Sequence, residues 1–247
     1  MSEAPARSPV RVPTVRAAFR AAATDFYYQS LRLVPANVAW GAGLLGVIAI
    51  AMWLSPILAL VVAPLLALLF VGIVRVTAQI VRGQDVVLSD VATAIRSYAA
   101  PALVGGIVTV VTGVVLATNL IGGIASGGPV GWAFATLAAW GIAGLWIVGL
   151  AFWPLLVDPD RETVPVAARA RLAGLVVLAA PLRFAILGAS LAAVTIISAV
   201  AFAALLSVSG AFVALVASRI TLPAADELEA RLATGPANPA TGAPGRA

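Results

Sequence analysis

Every charged residue of this chain falls in one of four segments, 1–32, 75–96, 158–183 and 219–247. The intervals between them, 33–74, 97–157 and 184–218, carry no charge and are 42, 61 and 35 residues long. One crossing of bilayer hydrocarbon takes about 20 apolar residues, so each interval has room for two helices joined as a hairpin. If each interval crosses twice, all the charge ends on one side of a membrane. Backbone amides in lipid have no water to bond to, so each crossing must satisfy them internally, as a helix does. The pattern therefore predicts an all-α polytopic membrane protein. Six transmembrane helices form three hairpins, with amphipathic helices lying in the cytoplasmic interface. The membrane domain is expected over 14–232, between disordered tails at 1–13 and 233–247.

Composition fits this solvent. The chain is 62% hydrophobic and 10% charged, with a mean hydropathy of +1.07, where soluble domains carry about 25% charge. Its net charge of +5 comes from fifteen basic residues, all of them Arg. Arg numbers in the four charged segments are 5, 3, 4 and 3, with none in the uncharged intervals. Positive charge gathers on the cytoplasmic side of membrane proteins, so both termini are expected in the cytoplasm. No aromatic–basic platform accompanies the charge, so nucleic acid is not an expected partner. With no Cys and no His, thiolate chemistry and the usual neutral-pH acid–base group are excluded. The first 34 residues carry five Arg and no apolar core of a secretory signal, so the first crossing is expected to stay as an anchor.

Along the chain, Val15, Phe19, Ala22, Phe26 and Ser30 share a helical face, with Arg16 and Arg20 on another. This predicts an interfacial helix over 14–33. Helix 1 is expected over about 36–54, opened by Pro35. Helix 2 is expected over 57–74, kinked at Pro64. Residues 89–99 read as a second interfacial helix with Ser89 as its N-cap. Helix 3 follows over 101–120, an uncharged outer loop over 122–129, and helix 4 over 130–156. A third amphipathic helix is expected over 163–180. Helices 5 and 6 fill 184–220 with a turn near 198–204, and Arg219 snorkels inward. Beyond Pro223 a short acidic helix is expected over 224–232. An amphipathic segment followed by Pro35, Pro101 or Pro181 and a hairpin thus recurs three times, as a degenerate repeat or as the ordinary layout of any six-helix protein with short outer turns.

An ionisable residue inside a membrane marks an ion path or proton relay; this layout places none there. Two sets of residues remain. Arg16, Arg20, Arg75, Arg82, Arg96, Arg169 and Arg171 line the cytoplasmic surface, as contacts for a partner or anionic lipid headgroups, or simply as topology signals. Thr109, Thr112, Asn119, Thr195 and Ser198 offer a polar path for a neutral solute, or helix-to-helix hydrogen bonds worth about 0.6 kcal/mol each. The small residues Ala135, Ala139 and Ala143, with Gly141 and Gly144, suit either a partner helix or internal packing. Trp140 and Trp146 sit mid-helix, where they line a sugar cleft or simply pack. The cluster Asp158, Asp160 and Glu162 reads as a solvated turn rather than a metal site. No phosphate loop or hydrolase motif occurs, so no catalytic residue, metal or cofactor is expected.

The run Phe26 to Asn37, then Trp40-Gly41, Pro56 opening helix 2, Arg75 to Arg82, the amphipathic stretch Asp90 to Arg96 and the late Ala217-Ser218-Arg219 resemble the YesL-type bacterial membrane proteins. The likeness spans about residues 20–230. It implies a bacterial cytoplasmic membrane protein linked to carbohydrate uptake or glycan breakdown, and carries no catalytic residues over. The function expected is a non-enzymatic accessory or scaffold component of a transport or envelope system. Its partners would be the lipid bilayer and transporter subunits or a second copy of itself. The alternative is a transporter or channel for a small neutral solute. The first predicts a dry bundle with an exposed small-residue face; the second predicts a polar cavity reaching mid-membrane.

Overall fold

The structure is a computed structural model that describes residues 12–201 and 208–234. These residues form helices and no strand. In chain order the helices are α1 Val15–Tyr28, α2 Ser30–Trp53, α3 Pro56–Val62, α4 Leu66–Val81, α5 Ser89–Ser97, α6 Ala99–Ser126, α7 Gly128–Leu156, α8 Val166–Ala179, α9 Pro181–Val200 and α10 Gly210–Thr234. Five stretches are long and apolar enough to cross a membrane: α2, Pro56–Val81, α6, α7 and α9. Their outward residues are large and apolar. Met52, Trp53, Ile121, Trp140 and Val200 are among those left exposed, which suits contact with lipid and not with water.

Helix α10 lies at the centre. Ala211, Leu215, Val216, Ile220, Leu222 and Ala225 are among its buried residues, and it touches α1, α2, α4, α7, α8 and α9. Because it is enclosed by protein, its polar groups must find partners there. The Ala211 amide donates to Asn37 Oδ1 at 2.7 Å, the hydroxyls of Thr77 and Ser218 lie 3.2 Å apart, and Thr221 donates to the Leu150 carbonyl at 3.4 Å. Two aromatic contacts seat α1 against it, with the Phe19 and Phe26 rings edge-on to Phe212 at 5.8 and 6.4 Å.

Several boundaries differ from the sequence reading. Helix α2 starts at Ser30 and runs through Pro35, and α6 starts at Ala99, so Pro101 sits in the first turn, where a missing amide costs little. Pro56 opens its helix as expected, and α9 starts three residues before the expected Phe184, with Pro181 as its first residue. Pro64 produces a short 3-10 segment, Ala63–Leu65, between α3 and α4. At α5 the N-cap position is Leu88 and Ser89 is the first helical residue, while Asp90 in the first turn reaches back to accept from the Val87 amide at 2.9 Å. The eight-residue outer loop shrinks to one residue. Helix α6 continues to Ser126 and α7 begins at Gly128, and Gly127 and Gly128 take φ of 63° and 68°, a region that favours glycine. Gly123 is a packing residue there, because a Cβ on it would stand 2.6 Å from the Gly131 carbonyl oxygen. Of the turn expected at 198–204, α9 does end at Val200, while 202–207 lie outside the described residues. So do most of the two tails. The acidic helix expected after Pro223 is the end of α10, which passes through that proline unbroken.

The amphipathic helix α5 docks on α4. Gly72 makes this possible: a Cβ there would lie 2.7 Å from Val91 Cγ1 and 3.5 Å from Ile95 Cγ1. The face formed by Val91, Ile95 and Tyr98 therefore packs on the core.

Candidate functional site

Three chain segments meet at the charged end of the bundle: the C-terminal end of α4, the turn after α7, and the last turns of α10. Asp158, expected in a solvated turn, is fully buried. It accepts from Arg82 through Nε at 3.0 Å and Nη2 at 2.7 Å, and also from Arg161. Arg82 turns its other edge to Asp226, at 2.6 and 3.1 Å. Arg161 bonds Asp226 at 2.6 Å and Glu229 at 2.6 and 3.3 Å. Asp160 adds a contact to Arg82 at 3.2 Å. The two guanidiniums thus sit among four carboxylates, with paired, fork-like geometry that a lysine could not offer.

Burial alone would disfavour charge here. Desolvation pushes the pKa of Arg82 down, but hydrogen bonds to Asp158 and Asp226 outweigh it and hold Arg82 above its ordinary value. Arg161 is held up in the same way, against desolvation, by Glu229 and Asp226. Burial would raise Asp226, but its bonds to Arg82 and Arg161 win and hold its carboxyl below the usual range.

The turn is cradled further by two more arginines. Arg75 donates to the Val157 carbonyl at 2.8 Å and to Glu162 at 2.5 Å. Arg169, 5% exposed, bonds the carbonyls of Val164 at 2.8 Å, Glu162 at 3.3 Å and Leu156, and stacks over the Tyr98 ring at 5.9 Å. Elsewhere Arg219 is paired with Asp25 of α1. Of the seven candidate surface arginines, then, Arg75, Arg82 and Arg169 point inward and hold the fold. Arg16, Arg20, Arg96 and Arg171 are exposed.

The polar-path set does not assemble. Thr109, Asn119 and Thr195 each bond a carbonyl four residues back on their own helix, at 2.8, 2.9 and 2.9 Å. Asn119 is exposed, and Thr112 and Ser198 are half-buried. Of the set, Thr109 and Thr195 line the same apolar cavity, of about 260 Å3, which also borders Trp40, Phe70 and Ser209. The small-residue stripe divides too. Ala135 packs on Gly123 and Gly141 on Leu116, while Ala139 is exposed. Trp140 is 74% exposed, whereas the Trp146 indole donates to the Gly188 carbonyl at 3.0 Å.

Beside the charge cluster lies a larger cleft of about 780 Å3, which the sequence did not signal. It opens between the first half of α6 and the second half of α7. Val74 of α4 and Val213, Ala214 and Ala217 of α10 form its floor, and Val166 and Ala170 of α8 close its charged end. Phe70, Phe152 and Trp153 form a chain of edge-on rings on its wall, at 5.7 and 5.3 Å. Its lining is apolar where the solute-path reading requires polar groups. Among the described residues no group of three or more Asp or Glu side chains is arranged to hold a metal ion. Compared with protein-family models, with curated proteins and with solved structures, the chain matches none.

Proposed function

We propose that this protein is a six-span, non-enzymatic membrane scaffold, an accessory component of a bacterial transport or envelope system. Its arginine-bearing face and both termini would lie in the cytoplasm. The sixth crossing would be α10, which touches the spans α2, α4, α7 and α9.

One observation carries the reading: the buried and half-buried ionisable side chains of the charge cluster are spent on one another and on main-chain carbonyls. Arg82 and Arg161 tie Asp158 to Asp226 and Glu229, and Arg169 ties the turn to itself. A catalytic acid or base needs a proton it can exchange near neutral pH. Here pairing holds the guanidiniums protonated and Asp226 ionised. What this end presents outward is a braced surface bearing Arg16, Arg20, Arg96 and Arg171, suited to a protein partner or to anionic lipid. The resemblance to YesL-type proteins favours a carbohydrate system as the setting. A route for a neutral polar solute has less support, because the hydroxyls that would line it are committed to their own helices.

Mild extraction of the chain from its native membrane, followed by mass spectrometry of co-purifying proteins, tests the proposal. A stoichiometric transporter subunit or glycan-handling enzyme is expected. Recovery of the chain alone, with solute uptake by liposomes that contain it, would overturn the scaffold reading.

A further inference from the structure

We infer that the 780 Å3 cleft is a site for one acyl chain of an anionic phospholipid from the leaflet on the charged side, with its headgroup at the mouth beside Arg96 and Arg171. The inference rests on the membrane-embedded reading above.

The cleft has a side and a depth. The α6–α7 hairpin closes tightly at its turn, where Gly123 and Gly131 bring the two backbones together and Gly141 accepts Leu116. Towards the charged end the helices part, and the cleft runs from Thr109 to Pro101 on one and from Ile142 to Pro154 on the other. Its floor is buried, whereas the rim residues Val104, Val108 and Val148 are 61%, 56% and 41% exposed. It therefore opens sideways, towards lipid, in the half of the membrane nearer the charge.

Its chemistry selects hydrocarbon. The Thr109 hydroxyl and the Trp146 indole N–H that border it are already bonded to main-chain carbonyls, so water inside would forfeit its own hydrogen bonds. The volume falls in the range of about 300–1,000 Å3 typical of ligand sites.

The mouth selects the headgroup. Arg171 follows Ala170 of the lining, and Arg96 stands at the end of α5 just before Pro101. Both are exposed and make no ion pair among the described residues. The nearby acids are engaged elsewhere: Glu162 with Arg75, and Asp90 with the Val87 amide. A phosphate at that end of the cleft would lie by the turns that carry these two exposed guanidiniums, the side chain best suited to it.

Indole quenching by brominated phospholipid reads the occupant directly. In full-length protein in nanodiscs, the exposed Trp53, Trp132 and Trp140 are replaced by Phe, which leaves Trp40, Trp146 and Trp153 at the cleft and the adjoining cavity. Phosphatidylglycerol brominated in mid-chain is expected to remove more than half of their emission, and brominated phosphatidylcholine less. Gly149 lines the cleft, and a Cβ there would meet nothing within 4 Å. Gly149→Phe should therefore abolish the quenching with the thermal midpoint unchanged, and Val108→Phe on the exposed rim serves the same purpose should that variant not fold. Arg96→Gln with Arg171→Gln should remove the preference for phosphatidylglycerol. Absence of quenching in the triple-Phe protein, quenching indifferent to the Phe blocks, no preference between the two lipids, or a dimer whose partner shields the cleft would each overturn the inference. If the protein with all six Trp also escapes quenching, the membrane reading itself fails.

Discussion

The two ends of the bundle are held by different physics. At the uncharged end, α6 and α7 meet backbone to backbone through Gly123 and Gly131, with no ionisable group near. This is how helices associate in lipid, where small residues allow close approach. At the charged end, three segments far apart in sequence are joined by a few directional bonds around Arg82, Arg161 and Asp158. Close packing spreads its energy over many weak contacts. A buried ion cluster concentrates it in a few groups, each of which leaves uncompensated charge if lost. The first end should tolerate polar change and resist added volume. The second should do the reverse.

The largest effect is expected from Arg82→Ala. It leaves Asp158 and Asp226 short of a partner and should destabilise the protein by about 3–5 kcal/mol, measured by denaturant unfolding in micelles. Hydrogen exchange near the α6–α7 turn should stay at the wild-type level, which keeps the two ends separate. Gly123→Ala attacks the other end, because its Cβ meets the Gly131 carbonyl oxygen at 2.6 Å and the Ala135 amide nitrogen at 2.8 Å. Overpacking of this kind costs about 1–3 kcal/mol, and here exchange should rise near the α6–α7 turn and not around Asp158.

A pH series sharpens the contrast. Asp226 is held below the ordinary carboxylate value of about 3.9. A group lowered on folding contributes stability that is complete above its unfolded value and is lost as pH falls through its folded one. The thermal midpoint should therefore be level down to about pH 4 and fall below it, and Asp226→Asn should remove that group's share of the acid limb. The smallest effects belong to Thr109→Val and Asn119→Leu. Each removes only a bond to its own helix, so stability should move by less than about 0.5 kcal/mol.

What the sequence revealed follows the same division. Charge spacing was enough to mark the stretches that became α2, Pro56–Val81, α6, α7 and α9, because crossing hydrocarbon constrains composition over many consecutive residues. Turn chemistry was less legible. Residues 122–129 read as a loop because glycine and serine favour turns, yet Gly123 serves helix packing, and only the residue pair Gly127-Gly128 needs the left-handed backbone. The charge cluster was hidden, since Arg82 meets Asp158 and Asp226 across 76 and 144 residues of sequence. Its one local trace was the spacing of three that sets Asp158 beside Arg161, and Asp226 in line with Glu229. The cleft left no trace, because apolar residues that line a cavity look the same as those that fill one.

In a membrane the charged and uncharged ends of the bundle should face opposite sides. The chain has no cysteine, so Gln84→Cys and Ser126→Cys each introduce the sole thiol. A membrane-impermeant maleimide applied to intact cells and to inverted vesicles then reports each position. Labelling of Gln84→Cys only from the cytoplasmic side and of Ser126→Cys only from outside is the predicted result. Labelling of both from the same side would contradict it.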